Sequence, residues 1–286
     1  MSQEPTGVLV RALLDEGAVR LVLVEATAPA RHTRTAHKLS ADAARLGAEA
    51  VVAAALNAAH IKGEEQLTLQ LQAESPKASF YADIVADGAL RVRVTPPDLT
   101  LEGGRLTGQL LVIKSLGRQE LYRGISAVPD STIEQALATH LETSAQVHDV
   151  LRIGVRQSAD GEILQAGGLL IERLPEEPDH PSLSAEEFEQ RYAWVREADI
   201  AKLLTQLAFG SLGEQALKVL DSRPLVWRCR CSRERVEAIL AGLGIGELSD
   251  MAQTDGQAEV SCDFCNTTYR FDEADLNGLI ASLRQS

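Results

Sequence analysis

All four cysteines of this chain lie between Cys229 and Cys265, and none occurs anywhere before that stretch. Cys229 and Cys231 form a CxC, thirty residues intervene, and Cys262 and Cys265 form a CxxC. Structural disulfides of a secreted protein would be spread over the fold, so this clustering favours metal ligation or redox chemistry. Four thiolates can close a tetrahedral zinc shell with no open position for water, which suits a structural or switchable site and not hydrolysis. Spacing alone leaves two readings open: a zinc ribbon that only holds its domain together, and a redox switch.

The rest of the sequence bounds the classes available. At 286 residues and 45% hydrophobic content the chain has material for one sizeable core plus a smaller module. A net charge of −13 repels phosphate backbones, and the region from Cys229 onward has five Arg against ten Asp or Glu, so nucleic acid is not expected as a partner. No window reaches the roughly 18–20 uninterrupted apolar residues of a membrane span, and the N-terminus MSQEPTGVLV lacks the order of a signal peptide, so a cytoplasmic protein without membrane attachment is expected. The glycines supply no phosphate loop, so no nucleotide is expected; Gly242, Gly244 and Gly246 are only a loose run after a helix.

The chain reads as an α+β protein in three parts: a compact N-terminal α/β domain over 1–175, an acidic helical linker region over 176–226, and a small C-terminal zinc-binding domain over 227–286. Short aliphatic runs at 8–14 and 19–25 join at Glu16-Gly17 as a hairpin, and Ser40 caps an alanine-rich helix extending to about residue 59. Leu67, Leu69 and Leu71 alternate with polar residues, as a half-buried strand should. Further strands are expected at 80–85, 90–94, 108–113, 122–125 and 151–156, a second helix at 131–143, and turns at Gly161 and Gly167-Gly168.

Pro175, Pro178 and Pro181, mixed with Glu176, Glu177 and Asp179, make a stiff acidic connection. Ser184 followed three residues later by Glu187 is a capping box, opening a helix expected to run to about residue 209. Its apolar stripe includes Phe188, Tyr192, Val195, Ala198, Leu203 and Leu207, and needs a partner surface. That partner is either a permanent core contact with the first domain or the same contact made conditional. In the last module Ser232 caps a short helix whose buried stripe would be Val236, Ile239, Leu240 and Leu243, and Asp272 opens another carrying Leu276, Leu279, Ile280 and Leu283. Some sixty residues with so few large side chains form a marginal core, so the metal is expected to make this module fold.

Catalysis finds little support. His32, His37, His60, His140, His148 and His180 are scattered with no H-E-x-x-H spacing, and Ser144 lacks a G-x-S-x-G elbow. A thioredoxin-like CxxC would not need the second cysteine pair, which zinc explains. The chain is therefore not expected to be an enzyme.

The run from Trp227 through Cys229, Cys231, Ser232 and Arg233 to Val236, and the run from Glu259 through Cys262, Phe264 and Cys265 to Asn266 with Tyr269 and Phe271 after it, resemble the two signatures of the heat shock protein 33 chaperonin family, redox-regulated bacterial holdases. Weaker echoes extend over most of the chain, among them Leu46-Gly47, the stretch from Lys62 to Glu65, Ser144-Ala145-Gln146 and Ala166-Gly167-Gly168. The resemblance implies an ATP-independent chaperone that is inactive when reduced, with one Zn2+ per chain. Oxidation would then form disulfides Cys229 to Cys231 and Cys262 to Cys265, release the metal and expose a surface for unfolding client proteins, in an oxidised homodimer. Phe188, Tyr192, Val195, Leu203 and Leu207 are the candidate client surface. A constitutive zinc-ribbon interaction protein without the switch is the alternative. The chain departs from the family pattern at Arg91-Val92-Arg93-Val94-Thr95-Pro96-Pro97, at Glu74-Ser75-Pro76-Lys77 and at Thr139-His140-Leu141, all in the first domain.

Overall fold

The computed structural model describes residues 6–145, 148–175, 182–208, 211–212 and 215–285, with backbone alone for 144–145, 206–208, 211, 215–216 and 285. Gln146, the acidic stretch from Glu176 to Pro181 with His180, Phe209 and the side chain of Leu207 lie outside that description. Two compact units emerge, Met1–Arg228 and Cys229–Ser286. No helix among the described residues is long and apolar enough to cross a membrane.

In the first unit, in chain order, are β1 (Thr6–Leu14), β2 (Val19–Glu25), α1 (Thr27–His37), α2 (Ala41–Asn57), β3 (Glu65–Ser75), β4 (Lys77–Val85), β5 (Ala89–Thr95), β6 (Leu106–Leu116), β7 (Gln119–Ser131), α3 (Ile133–His140), β8 (Asp149–Gln157) and β9 (Ile163–Arg173). Then follow α4 (Ala185–Tyr192), α5 (Ile200–Ala208), the two-residue strands β10 (Ser211–Leu212) and β11 (Gln215–Ala216), and β12 (Lys218–Trp227). Ten strands form one sheet in the order β7-β6-β3-β4-β5-β12-β1-β2-β9-β8. Its pairings are antiparallel apart from β12 with β5, which meet in parallel over Val226 to Ala89 and Trp227 to Leu90. The mixed α+β character is as expected; the strand expected at 19–25 coincides with β2, and the other expected strands lie within longer ones.

Ser40 caps α2 by accepting from the Ala43 amide, and alanines let the helix lie close on the sheet, buried at nearly every position. Gly167-Gly168, with the composition of a turn, is instead the middle of β9. A Cβ on Gly168 would come within 2.6 Å of Val52 and 3.0 Å of Leu56, so the glycine admits α2 against the strand. The helix expected over 184–209 is broken in two. After α4 the chain tightens into a 3-10 turn over Ala193–Glu197, Ala198 is extended, and the Asp199 carboxylate accepts from the amides of Ala201 and Lys202 to start α5 afresh.

The strand pair β8 and β9 carries a charged device. Glu172 on β9 is wholly buried and receives hydrogen bonds from Arg20 Nε and His60 Nε2, both at 2.6 Å. Burial pushes its carboxyl up, but those two partners outweigh burial and hold it at about 2. Asp149 stands opposite Glu172 in register and lines a cavity of about 530 Å³ with Glu134, Glu142, Phe188, Glu189 and Arg196. Burial, and then the charge of Glu172, push Asp149 up to about 7 against the pull of Arg196. The two titrations act with opposite sign. Glu172 stabilises the fold above the ordinary carboxylate range and loses that contribution as pH falls towards 2, whereas Asp149 costs stability as pH rises from about 4 towards 7. Asp149→Asn should therefore match the parent protein near pH 4 and exceed it by about 1–2 kcal/mol at pH 8. Urea unfolding at both pH values checks this; an equal difference at pH 4 and pH 8 would remove the titration from the account.

Candidate metal centre

The second unit contains α6 (Arg233–Ala241), α7 (Ile245–Asp250), β13 (Gln257–Ser261), β14 (Thr268–Asp272) and α8 (Glu273–Gln285). Its core is Val236, Leu240, Leu248, Ala252, Phe271, Leu276 and Ile280, with Leu279 and Leu283 packed at its border. Ile239 and Leu243, expected from the sequence in the buried stripe, are 64% and 48% exposed. Val236 and Leu240, four apart, stand one above the other on the inward face of this short helix, and Ile239, about 100° round the helix from Leu240, lies at the solvent edge of that stripe. Arg233 spans the module: its guanidinium lies 4.3 Å over the Phe271 ring and pairs with Asp275 at 2.6 Å. Its charge is thus engaged with Asp275 and Phe271 and not with the sulfurs.

Both cysteine motifs sit at points where the backbone turns. Ser232, directly after the CxC, accepts from the Arg235 amide and starts α6. The CxxC occupies the reversal between β13 and β14, closed by Cys262 N–H to Thr267 O at 2.9 Å and Asn266 N–H to Cys262 O at 2.8 Å, with Asn266 left-handed at φ 55°. The hairpin and the start of α6 bring four sulfurs within 4.8 Å of one another. Cys229 lies 3.6 Å from Cys262, and Cys231 lies 3.4 Å from Cys265. A zinc–sulfur bond of about 2.3 Å implies tetrahedral sulfur–sulfur edges of about 3.8 Å. The cluster fits such a shell, and these two close contacts cross between the motifs.

Two hydroxyls reach this cluster. The Tyr269 phenol donates to Cys231 Sγ at 3.1 Å, and Thr267 Oγ1 lies 3.2 Å from Cys265 Sγ. Burial raises the Cys231 thiol to about 12, with the neighbouring sulfurs adding to it and Tyr269 opposing. Burial also raises Cys265, but Thr267, through hydroxyl and amide, and the other thiols bring it down to about 7. Neither hydroxyl is marked as functional by sequence reasoning. Their signal is positional: they stand two and four residues after Cys265, where a hairpin folds back over its own turn.

The candidate client residues are elsewhere. Phe188, Tyr192, Val195 and Leu203 are at most 2% exposed, in a core shared with Leu14, Val19, Leu21, Val150, Leu169 and Ile171 of the sheet. They belong to the core of the first unit, while Trp194 between them is 46% exposed.

Residues 7–272 match a family model described as Hsp33 protein. Among curated relatives, a 33 kDa chaperonin of Bacillus cereus (strain B4264) is 30% identical over 96% of this chain and 99% of its own length. A 33 kDa chaperonin of Bacillus anthracis (strain A0248) is 29% identical over the same shares. The crystal structure of a 33 kDa chaperonin from Thermotoga maritima matches with TM-score 0.76 and 23% identity, covering 98% of this chain and 99% of that one, and shares its fold.

Proposed function

We propose, from the premise that this chain belongs to the Hsp33 family of chaperones, that it is an ATP-independent holdase switched by the redox state of its four cysteines. The observation that carries this reading is the gathering of Cys229, Cys231, Cys262 and Cys265 within 4.8 Å from two separate motifs. Bound Zn2+ would hold all four sulfurs as thiolates and tie the hairpin to the start of α6. In that state the chain is inactive, with Phe188, Tyr192, Val195 and Leu203 packed away.

Oxidation proceeds on the sulfurs. One thiolate attacks hydrogen peroxide, forming an S–O bond and releasing hydroxide; a second thiolate then attacks that sulfur and expels a second hydroxide. Each disulfide thus takes two electrons to one peroxide and removes two donors. We assign the pairs as Cys229 with Cys231 and Cys262 with Cys265, consistent with partners two and three positions apart within each motif. With both formed the module has lost its metal shell, and we assign residues 176–226 as the linker region that then gives up its apolar face to unfolding clients. The three functional parts are then 1–175, 176–226 and 227–286. The active species is assigned as a cytoplasmic homodimer that uses neither nucleotide nor nucleic acid.

The test compares reduced protein with protein treated with peroxide at mildly elevated temperature, measuring zinc content and suppression of citrate synthase aggregation side by side. Release of about one zinc per chain, with suppression only after oxidation, is the expected result. Zinc that stays bound, or leaves without any gain in suppression, would favour a constitutive zinc ribbon.

A further inference from the structure

The ten-stranded sheet ends in β7 on one side and β8 on the other, and one short helix, α3, is bonded to both. Near its start Glu134 accepts from the Ile153 amide of β8 at 2.5 Å and pairs with Arg152 at 3.1 Å. At its end His140, 2% exposed, has Nδ1 2.9 Å from Ser126 Oγ and Nε2 3.3 Å from the Tyr122 hydroxyl, both on β7. Gly124 makes the room for this group, because a Cβ there would come within 2.5 Å of the imidazole. Helix α3 thus closes over both end strands with Ile133, Ala136 and Leu137 buried beneath it, one of the ways in which proteins cover strand edges that would otherwise pair with another chain.

The two ends of α3 respond to protons in opposite ways. Among the described residues the hydrogen-bond partners of His140 are hydroxyls and not carboxylates, so an imidazolium there would be buried without a countercharge. The charged groups on the elements around α3 are engaged elsewhere: Arg45 with Glu49 on α2, Lys114 of β6 with Glu65, Arg123 and Asp130 of β7 with Glu120 and Arg105, and Arg152 of β8 with Glu134. Asp42 accepts from the Leu101 amide, Arg156 acts on Asp199, and Glu142 and Asp149 line the cavity beside β8. Burial alone therefore acts on His140, and it pushes the imidazole below its ordinary value of 6.5. A base held down in this way contributes its full docking stability above that ordinary value and loses it as pH falls below. Glu134 runs the other way: burial raises its carboxyl against the Ile153 amide and Arg152, as burial raises Asp149, so a falling pH favours the docked β8 end.

We propose that His140 makes α3 an acid-released cover: its protonation lifts the C-terminal end of the helix from β7, while Glu134 holds the other end on β8 as the pivot. The reduced chain then has acidity as a second signal for exposing apolar surface, apart from the cysteines and without a covalent step. What is bared is the edge of β7, where Leu121 and Ile125 are already 42% and 58% exposed, together with the underside of α3 and Leu141 just beyond it. This device stands beside the redox switch and does not rest on it.

Amide exchange followed by mass spectrometry, on the full reduced chain in zinc-containing buffer at pH 7.5 and pH 5.5, tests the cover. After correction for intrinsic rates, exchange across 119–128 should be at least about threefold faster at pH 5.5, with 149–157 unchanged. Binding of an apolar fluorescent dye should rise with it. His140→Phe, an uncharged ring of similar size, and His140→Gln, polar but without a proton to gain in this range, should show no such rise. The imidazole of His140, followed by NMR, should titrate with the same midpoint as the exchange. A parent chain that exchanges equally at both pH values, an equal rise in the variants, a rise in 149–157 as large as that in 119–128, or midpoints that differ would each overturn the proposal. If either substitution opens α3 at both pH values, the NMR and exchange midpoints of the parent chain decide.

Discussion

Stripping zinc with a strong chelator, or replacing Cys262 by serine, is expected to unfold the unit Cys229–Ser286 while the ten-stranded sheet stays folded. The buried core of this module is seven side chains, two of them alanine or valine, which is little apolar surface for a unit of that length. Structural zinc typically contributes about 10–16 kcal/mol of apparent binding free energy, more than the stability of most domains of any size. Cys262 is a severe place to lose a ligand, because its sulfur is the link between the metal and the hairpin turn, which its own amide and carbonyl close onto Thr267 and Asn266. Burial pushes the Cys231 thiol up to about 12, so metal entry must expel its proton, and zinc retention should weaken as pH falls. Amide exchange followed by mass spectrometry would show rapid exchange across 229–285 in chelator and slow exchange in β1 and β9. Protected amides in the stripped module would mean that the small core suffices and the metal is not what folds it.

The centre was legible because ligand chemistry is written in residue type and spacing, and a tetrahedral shell leaves few arrangements for a CxC and a CxxC. What the sequence conceals are features set by tertiary approach. Gly167-Gly168 has turn composition, but it lies in a strand because Val52 and Leu56 of a helix more than a hundred residues earlier need the space above it. The helix α1 escapes notice since its segment, from Thr27 to His37, is polar and alanine-rich with no capping side chain at Ala26. Strand β12 reads as linker because Asp221, Ser222, Arg223 and Pro224 look like loop, and only its register with β1, from Thr6 opposite Val226 to Leu13 opposite Lys218, makes it a strand. The stop before α5 is equally hidden: Asp199 looks like any surface carboxylate until it is seen accepting two amides. Among the hydroxyls, Tyr269 is visible within a signature but mute about its role, since a hydrogen bond to sulfur depends on how far the hairpin folds back.

Tyr192→Ala should undock the segment 185–203 and produce holdase activity without oxidant. Tyr192 is 2% exposed, stacks with Phe188 at 5.4 Å between ring centroids, and donates its hydroxyl to Asp15 Oδ2 at 2.6 Å. Arg191 pairs with the other oxygen of Asp15 at 2.5 Å, so a single carboxylate at the β1–β2 turn secures the end of α4 twice. Deleting a large buried aromatic typically costs about 3–5 kcal/mol, enough to shift a locally docked segment even when the sheet survives. Tyr192→Phe, losing only the hydrogen bond, should cost about 1–2 kcal/mol and leave the segment mostly docked. Limited proteolysis within 182–208 and aggregation suppression, both under reducing conditions with zinc retained, would read the two effects together. An alanine variant that is cleaved there but fails to protect citrate synthase would show that the face carrying Phe188, Val195 and Leu203 is core packing and not a client surface. Protection that appears in step with cleavage, and is intermediate in the phenylalanine variant, would place the switch in the docking of this segment and make the cysteines its trigger.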